Sequence, residues 1–241
     1  MLIVLIVCFG ISPGVGVTTP AVNLSVAFSL SRRAETPLVE LRPKPDNLLS
    51  ALGLAATAPY GDLAATGRVL KWDTLCLHLV GHSTGVRVLP APPLDSAVPL
   101  VLTRRAIAIL RARFPLVLAD AKSEADPRFR SALLAADAVL LVLSPEVSTI
   151  RSSLTATHEL RALEVPERQI LLVVNKVRPK ASVPVQRIRE RMKRPILGVI
   201  PHEPATEAVL DMGKPLVFAQ PTSPASLAIG RTAMQLGRGL S

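Results

Sequence analysis

Short apolar runs alternate with longer amphipathic segments along the chain. Each run is rich in Val, Ile and Leu and nearly free of polar groups, as is typical of parallel strands buried on both faces. The runs that we predict as strands span residues 2–9, 37–41, 75–80, 86–90, 116–120, 138–143, 170–174 and 196–200. The alternation predicts an α/β fold with a mainly parallel sheet and helices on both faces.

The segments between the runs carry apolar residues at helical spacing. We predict helices over residues 18–30, 47–54, 97–113, 185–192 and 225–240. Ser144, Pro145 and Glu146 predict the start of another helix, with a capping side chain, a proline in the first position and an acid that favours the helix dipole. The residues of that helix that we expect to face inward are Ile150, Leu154 and Leu160.

A length of 241 residues is ample for one α/β domain, and no Gly/Ser linker or repeat divides the chain. We therefore predict a single domain over residues 1–241. The opening apolar run is too short to span a bilayer and lacks a basic flank and a small-residue cleavage site. It is interpreted as the first strand, and we expect a cytoplasmic protein without a transmembrane segment.

Cys8 and Cys76 both fall in predicted strands, which suits reduced thiols better than a disulfide. Cys76, His78 and His82 are also close enough in sequence to raise the question of a metal site. Residues four apart in an extended segment share a face but lie about 13 Å apart. A fourth ligand is not evident, so we expect no metal there.

A glycine-rich turn joins the first strand to the first helix, in the segment CFGISPGVGVTTPAVNLS that begins at Cys8. Gly14 and Gly16 allow a tight turn that aims backbone N–H groups at an anion on the N-terminus of the helix. Thr18 occupies the position from which a P-loop offers its hydroxyl to Mg²⁺. The pattern indicates a phosphate-binding loop, and an ordinary glycine-rich strand-to-helix turn is the alternative left open.

Two positions of the phosphate-binding pattern are altered. The pattern G-x-x-x-x-G-K-[ST] has Ile11 in the place of its first glycine and Val17 in the place of its lysine. A charge-assisted hydrogen bond is worth about 1.5–3 kcal/mol, so its loss should weaken nucleotide binding by about ten- to a hundred-fold. Hydrolysis should suffer more than binding.

The segment SPGVGVTTPAVNLSVAFSLSR resembles the deviant Walker A segment of the MinD/ParA superfamily, KGGVGKTT followed by an A-V-N-L-type helix. Ser12 then stands at the signature lysine and Pro13 at the first loop glycine. FPLVLADAKSEADPRFRSALLAADAVLLVLSPE, LLVVNKV and LGVIPHEPATEAVLDMGKPLVFAQP are similar to later segments of that family. Within it, TGVRVLPAPP and the small residue in place of the loop lysine look most like the CpaE/TadZ branch, which is associated with the assembly and polar placement of pili.

The resemblance implies a nucleotide site for ATP or ADP with Mg²⁺. Thr18 and Asp120 would serve the metal, and Asn175 would read the adenine. The complete set of cofactor-binding residues implied in this way is Gly14, Val15, Gly16, Val17, Thr18, Thr19, Asp120 and Asn175. Arg42 replaces the second Asp of the family's D-x-D switch, and no catalytic base can be named. Arg42 and Lys122 would either return positive charge to the phosphate site or be ordinary surface cations.

Three functions follow from the resemblance. The first is a localisation or assembly protein that hydrolyses ATP weakly or not at all, forms a homodimer, and places a pilus, polar or division apparatus. The second is an active ATP-dependent switch in cell division or partitioning, and the third is a basic DNA-binding module. A peripheral position at the inner face of the membrane is left open beside the cytoplasmic one.

The formal net charge is +10, and it is concentrated between Lys176 and Arg194. Within this segment Val185, Ile188 and Met192 repeat at helical spacing, which leaves the basic residues largely in solvent. Such a face could meet DNA, anionic lipid or an acidic protein. A plain solvated helix face is the alternative, because no aromatic residues interleave for base stacking.

Overall fold

The computed structural model describes residues 4–41, 47–55, 69–91, 100–122 and 127–239. Eight strands lie in this part of the chain: β1 Val4–Phe9, β2 Thr36–Leu41, β3 Val80–Gly81, β4 Val86–Leu89, β5 Leu116–Ala121, β6 Ala138–Leu143, β7 Ile170–Val177 and β8 Ile196–Pro201. They form one sheet in the order β3-β4-β2-β5-β1-β6-β7-β8. All neighbouring pairs are parallel except β3 and β4.

Ten α-helices are described: α1 Thr18–Arg32, α2 Asn47–Ala51, α3 Trp72–Cys76, α4 Leu100–Arg111, α5 Pro127–Ala135, α6 Val147–Ala162, α7 Val185–Met192, α8 Ala205–Asp211, α9 Leu216–Ala219 and α10 Pro224–Gly239. The chain forms a single α/β domain in which these helices cover both faces of the sheet. Among the residues that the structure describes, no helix is long and apolar enough to cross a membrane.

Strand β1 shows why the apolar runs are nearly continuous. Leu5, Val7 and Phe9 belong to the hydrophobic core under α4, α5, α6 and α7. The alternate residues Val4, Ile6 and Cys8 belong to a second core under α1 and α10. A strand between two helical layers must be apolar on both faces, so its sequence shows no alternation. The predictions of a mainly parallel sheet and of helices on both sides are therefore confirmed.

The strand predicted over residues 75–80 is wrong for most of its length. Helix α3 ends at Cys76, residues 77–79 form a turn and a short connection, and only the two-residue strand β3 follows. Leu75 and Leu79 are buried, whereas Leu77 between them is 69% exposed. Burial thus repeats every four residues, as in a helix, and the alternation of apolar residues in LCLHLV is misleading. Cys76 consequently lies at the end of a helix and not in a strand, although both cysteines are free thiols as expected.

Helix α6 begins at Val147, later than the predicted start at Pro145. Residues 144–146 form a turn in which the Ser144 carbonyl accepts bonds from the Glu146 N–H at 2.8 Å and from the Thr149 hydroxyl at 2.6 Å. Glu146 has extended backbone angles and precedes the helix, and no side chain caps the first turn. Ser144 therefore contributes its carbonyl, not the hydroxyl cap that was predicted. Ile150 and Leu160 are buried and Leu154 is half-buried, so the inward face is confirmed.

His82 lies beside the β3–β4 turn and touches helix α9. Its Nδ1 accepts the backbone N–H of Thr84 at 3.3 Å and lies 2.8 Å from the Thr84 hydroxyl. Its ring meets the Phe218 ring edge-on, with the centroids 6.3 Å apart. Burial lowers the pKa of His82. The folded protein therefore favours the neutral ring, in which Nδ1 carries no proton.

His82→Gln should reduce the loss of stability in mild acid. The unfolded chain binds a proton at His82 more readily than the folded chain does. The contribution of the neutral His82 ring to the free energy of unfolding is therefore present above the ordinary histidine pKa and is lost as the pH falls below it. Urea unfolding at about pH 7.5 and about pH 5.0 checks the expectation. The unmodified protein should lose more stability over this interval than His82→Gln does, and equal losses would contradict the assignment. His158→Gln serves as the histidine control.

Candidate functional site

The loop between β1 and α1 contains two glycines in the left-handed region of backbone conformation. Gly14 and Gly16 both have a φ of 78°, in the left-handed region that side chains disfavour. A Cβ atom at Gly16 would lie 2.9 Å from the Nδ2 atom of Asn175. Glycine at this position is therefore required both by the backbone angle and by the close neighbour. The predicted roles of Gly14 and Gly16 in shaping the turn agree with this geometry.

The loop opens onto the N-terminus of α1, a helix of 15 residues without an acidic residue in its first turn. The helix dipole places partial positive charge there, and the first N–H groups have no partners within the helix. A cavity of about 200 Å³ lies inside the loop. Ser12 at the signature-lysine position, Val15, Val17 and Lys122 all line this cavity. These features suit an anion the size of a phosphate group.

Thr18 and Asp120 meet at the base of the loop. The Thr18 hydroxyl donates to Oδ2 of Asp120 at 2.9 Å. Asp120 is completely buried near the end of β5, where the strand register sets it beside Cys8. Burial and the Asp120 charge both raise the pKa of the Cys8 thiol, so Cys8 stays protonated and inert. The two residues predicted to serve a metal are thus brought together by strand order, 102 positions apart in sequence.

Asn175 ties the loop to strand β7. It is 3% exposed, and its Nδ2 donates to the carbonyls of Val15 at 2.9 Å and Gly16 at 3.3 Å. The amide therefore holds the glycine turn from the side. Its predicted role in reading adenine stays a prediction.

Val17 is 8% exposed and packs in the core shared with α1. A Cβ atom at Gly10 would lie 2.8 Å from a Val15 methyl and 2.9 Å from a Val17 methyl, so these two valines pack closely against Gly10. Thr19, in the first turn of α1, accepts the Asn23 side-chain amide on its carbonyl at 2.9 Å. Apolar packing thus occupies the place where a working loop carries its lysine.

Of the two proposed substitute cations, Lys122 lies within the described residues and Arg42 does not. Lys122 lines the loop cavity directly after β5. Arg42 lies outside the described residues. Glu40, two positions earlier, is buried and accepts the N–H groups of Leu48 at 3.3 Å and Ala91 at 3.0 Å. The Glu40 carboxylate thus connects the backbone at Leu48 with the backbone at Ala91. This structural role was not predicted from the sequence.

Lys176 is a neighbour of the loop that the sequence reasoning missed. Its Cε lies 3.4 Å from the position of a Cβ on Gly16. Its Nζ lies 3.5 Å from Oε1 of Glu207 on α8. The signal for this contact in the sequence is that Lys176 directly follows Asn175. The sequence analysis assigns it only to the basic segment.

A groove with a volume of about 440 Å³ lies between α6 and α7. Apolar side chains line part of it, among them Ile150, Leu154 and Val183. Arg151, Arg187, Glu190 and Arg191 complete the lining. We call this feature the α6–α7 groove, and its charge is predominantly positive.

The basic segment is only partly solvated. Arg194 has a side chain that is 17% exposed and bonds Glu167 at 2.8 Å, which lowers the pKa of that carboxylate. Lys176 is held by Glu207 as described above. Ile188 and Met192 are buried, as the helical spacing predicted, whereas Arg187 is 77% exposed. The exposed positive charge is therefore concentrated on α7, beside the α6–α7 groove.

No family model matches the chain, but it is similar to known proteins in sequence and in structure. The septum site-determining protein MinD of Synechocystis is 25% identical over 236 residues, which cover 92% of this chain and 85% of that protein. The ParA family ATPase of Chlorobium tepidum superposes with a TM-score of 0.88 at 18% identity, over 96% of this chain and 99% of that one.

Two further solved structures are similar over nearly the whole chain. MinD of Pyrococcus horikoshii, complexed with Mg-ADP, has a TM-score of 0.83 at 23% identity and covers 96% of this chain and 95% of its own. The MinC:MinD cell division protein complex of Aquifex aeolicus matches at 0.81 and 26% identity, with 97% and 96% covered.

A glycine turn between a buried parallel strand and a helix, with a threonine and an aspartate at its base, defines a P-loop protein. The sequence relatives and the structural neighbours together narrow the class. In sequence and in fold the chain is similar to the P-loop ATPases of the MinD/ParA family.

Asn175→Ala should loosen the loop. The substitution removes the donor to two carbonyls in a buried setting, which should cost about 1–3 kcal/mol of unfolding free energy. Hydrogen exchange at the amides of residues 14–18 should accelerate, while exchange in β5 and β6 should change only through the global loss of stability. Unchanged loop exchange would contradict the bracing role. Asn23→Ala, which removes a different buried amide from α1, controls for a general loss of packing.

Proposed function

We propose that the protein is a positioning or assembly protein of the CpaE/TadZ type that binds Mg²⁺ with ADP or ATP weakly and hydrolyses ATP slowly or not at all. One observation carries the proposal. The loop has left-handed backbone angles at Gly14 and Gly16, which suit a phosphate site, but a buried apolar side chain, Val17, stands at the lysine position.

The binding half of the proposal depends on groups that the valine does not affect. The backbone N–H groups of Gly14, Val15 and Gly16 would meet the phosphates, and Thr19 would add a further contact. Thr18 and Asp120 are already 2.9 Å apart, and their oxygens are of the kind that Mg²⁺ prefers. When bound, Mg²⁺ would neutralise part of the phosphate charge. That the structurally similar MinD of Pyrococcus horikoshii was solved in complex with Mg-ADP supports the proposal that this chain binds a nucleotide with Mg²⁺.

Hydrolysis is expected to be slow or absent because both lysine positions of the loop carry uncharged residues. Phosphoryl transfer relies mainly on positioned positive charge around the transferred group. Val17 provides none, and Ser12 at the signature-lysine position provides a hydroxyl only. Lys122 at the cavity is the observation that favours the second candidate, an active ATP-dependent switch in cell division or partitioning.

Val17→Lys should restore affinity for Mg²⁺·ADP. A charged hydrogen bond to phosphate is worth about 1.5–3 kcal/mol, so the dissociation constant should fall about ten- to a hundred-fold. Calorimetric titration of the unmodified chain, Val17→Lys and Val17→Met measures this difference. The methionine variant has a long uncharged side chain and should bind no better than the unmodified chain.

The same experiment distinguishes the two candidate functions. Phosphate release by the unmodified protein should stay at the level of the buffer blank. Steady turnover that disappears in Lys122→Met would favour the active switch. No binding of Mg²⁺·ADP at millimolar concentration by the unmodified chain would overturn the nucleotide site, and the loop would then be only a structural turn.

The α6–α7 groove supports a protein partner more than DNA or a lipid surface. Its lining is partly apolar and concave, whereas duplex DNA and a bilayer present broad anionic surfaces. Exposed arginines beside Leu154 suit a partner helix with acidic and apolar residues on one face. We propose that a segment of a pilus, polar or division apparatus docks here and that the protein acts as a homodimer. It would work in the cytoplasm, with the inner face of the membrane as a site of peripheral attachment.

Reversing charge at the groove should disperse the protein in the cell. A fluorescent fusion of the unmodified chain is expected to form foci, because the proposal assigns it a fixed location. Arg187→Glu combined with Arg191→Glu should spread the signal through the cytoplasm without lowering the melting temperature. Arg130→Glu combined with Arg231→Glu makes the same charge change on other exposed helices and should leave the foci intact. Foci that survive the groove variant would exclude this surface.

A further inference from the structure

Strand β7 contains an irregularity at Lys176, beside the loop. The pairing of β7 with β8 changes register between Val174 and Val177. Lys176 lies in this interval with a φ of 57°, one of four non-glycine residues with positive φ in the described ranges. Bulges of this kind redirect side chains and occur often beside functional sites. A left-handed backbone at a lysine is strained, and such strain is a reason to look for a function at that residue.

The irregularity directs two consecutive side chains at the loop. Asn175 bonds the carbonyls of Val15 and Gly16. Lys176 lays its aliphatic stem beside Gly16, with Cε 3.4 Å from the position of a Cβ. In a regular strand, consecutive side chains point to opposite faces of the sheet. The left-handed residue is what allows both to serve the same side of the loop.

The Lys176 ammonium is held only loosely. Its contact with Glu207 is 3.5 Å long, and the two side chains are 38% and 83% exposed. Exposed pairs of this length contribute little to stability. A phosphate anion near Gly16 would therefore compete effectively with Glu207 for the same cation, since a doubly charged phosphate is the stronger acceptor.

We propose that Lys176 is the cation that compensates for Val17. With nucleotide in the loop, the Lys176 ammonium leaves Glu207 and binds the phosphate nearest Gly16, from the flank of the loop and not from its interior. Glu207 on α8 restrains the lysine while the loop is empty. This inference rests on the proposed nucleotide site, and it adds a positioning role for α8, because nucleotide would release Glu207.

Titration with Mg²⁺·ADP tests the inference in the full-length chain. Lys176→Met should raise the dissociation constant about tenfold, and Lys176→Arg, which keeps the charge, should stay within about twofold of the unmodified chain. Glu207→Gln should lower the dissociation constant about two- to fivefold, because it frees the lysine. Lys214→Met removes an exposed cation just after α8 and should change nothing.

Combining the two substitutions gives the decisive comparison. In the Lys176→Met background, Glu207→Gln should lose its effect, because the carboxylate then has no lysine to restrain. Equal ADP affinity of the unmodified chain and Lys176→Met would overturn the inference while leaving the nucleotide site in place. Additive effects of the two substitutions would also overturn it. No ADP binding by the unmodified chain would overturn the nucleotide site and this inference together. Matching melting temperatures exclude a folding defect.

Discussion

The buried amide of Asn175 is the interaction on which the site depends. Its two bonds to the carbonyls of Val15 and Gly16 fasten the glycine turn to β7 from across the sheet. Since β6 lies between β1 and β7 in the sheet, this contact holds the turn against a strand that is not its neighbour. The turn, the start of α1 and the Thr18–Asp120 pair are consequently positioned by the sheet itself. These bracing bonds do not involve the side chain at position 17.

The conformation of the glycine turn and the charge that would bind phosphate therefore depend on different residues, and one can be lost without the other. The left-handed turn requires glycine and the neighbouring strands, whereas the phosphate charge depends on single side chains. Val17 removes a charge and adds apolar packing around Gly10, a change that favours the fold at the cost of the chemistry. Two lysines then lie near the loop: Lys122 lines its cavity, and Lys176 lies beside Gly16.

The sequence was sufficient for most of the fold because buried parallel strands leave continuous apolar runs. Runs such as 138–143 coincide with observed strands, since burial on both faces dictates their composition. The failure at residues 75–80 arose where a short apolar segment is covered on one side only, so that helix and strand cannot be separated by pattern. The turn of the site could also be predicted, because Gly14 and Gly16 lie between a predicted strand and a predicted helix. The role of Glu40 and the direction of Lys176 were not, since both depend on tertiary contacts and on a bulge that leaves no local signature.

The edges of the sheet restrict how copies of this protein can assemble. Among the residues that the structure describes, one edge strand of the sheet is β3, a two-residue strand antiparallel to β4. Short edge strands resist the addition of a further strand. The opposite edge is β8, which is six residues long and parallel to its neighbour. An assembly built by extending the sheet would therefore use the β8 edge. With one such edge on each copy, two copies could pair edge to edge, but a third could not be added in the same way. Growth beyond a pair would have to use helical faces, where side-chain identity, and therefore specificity, decides which partner is admitted.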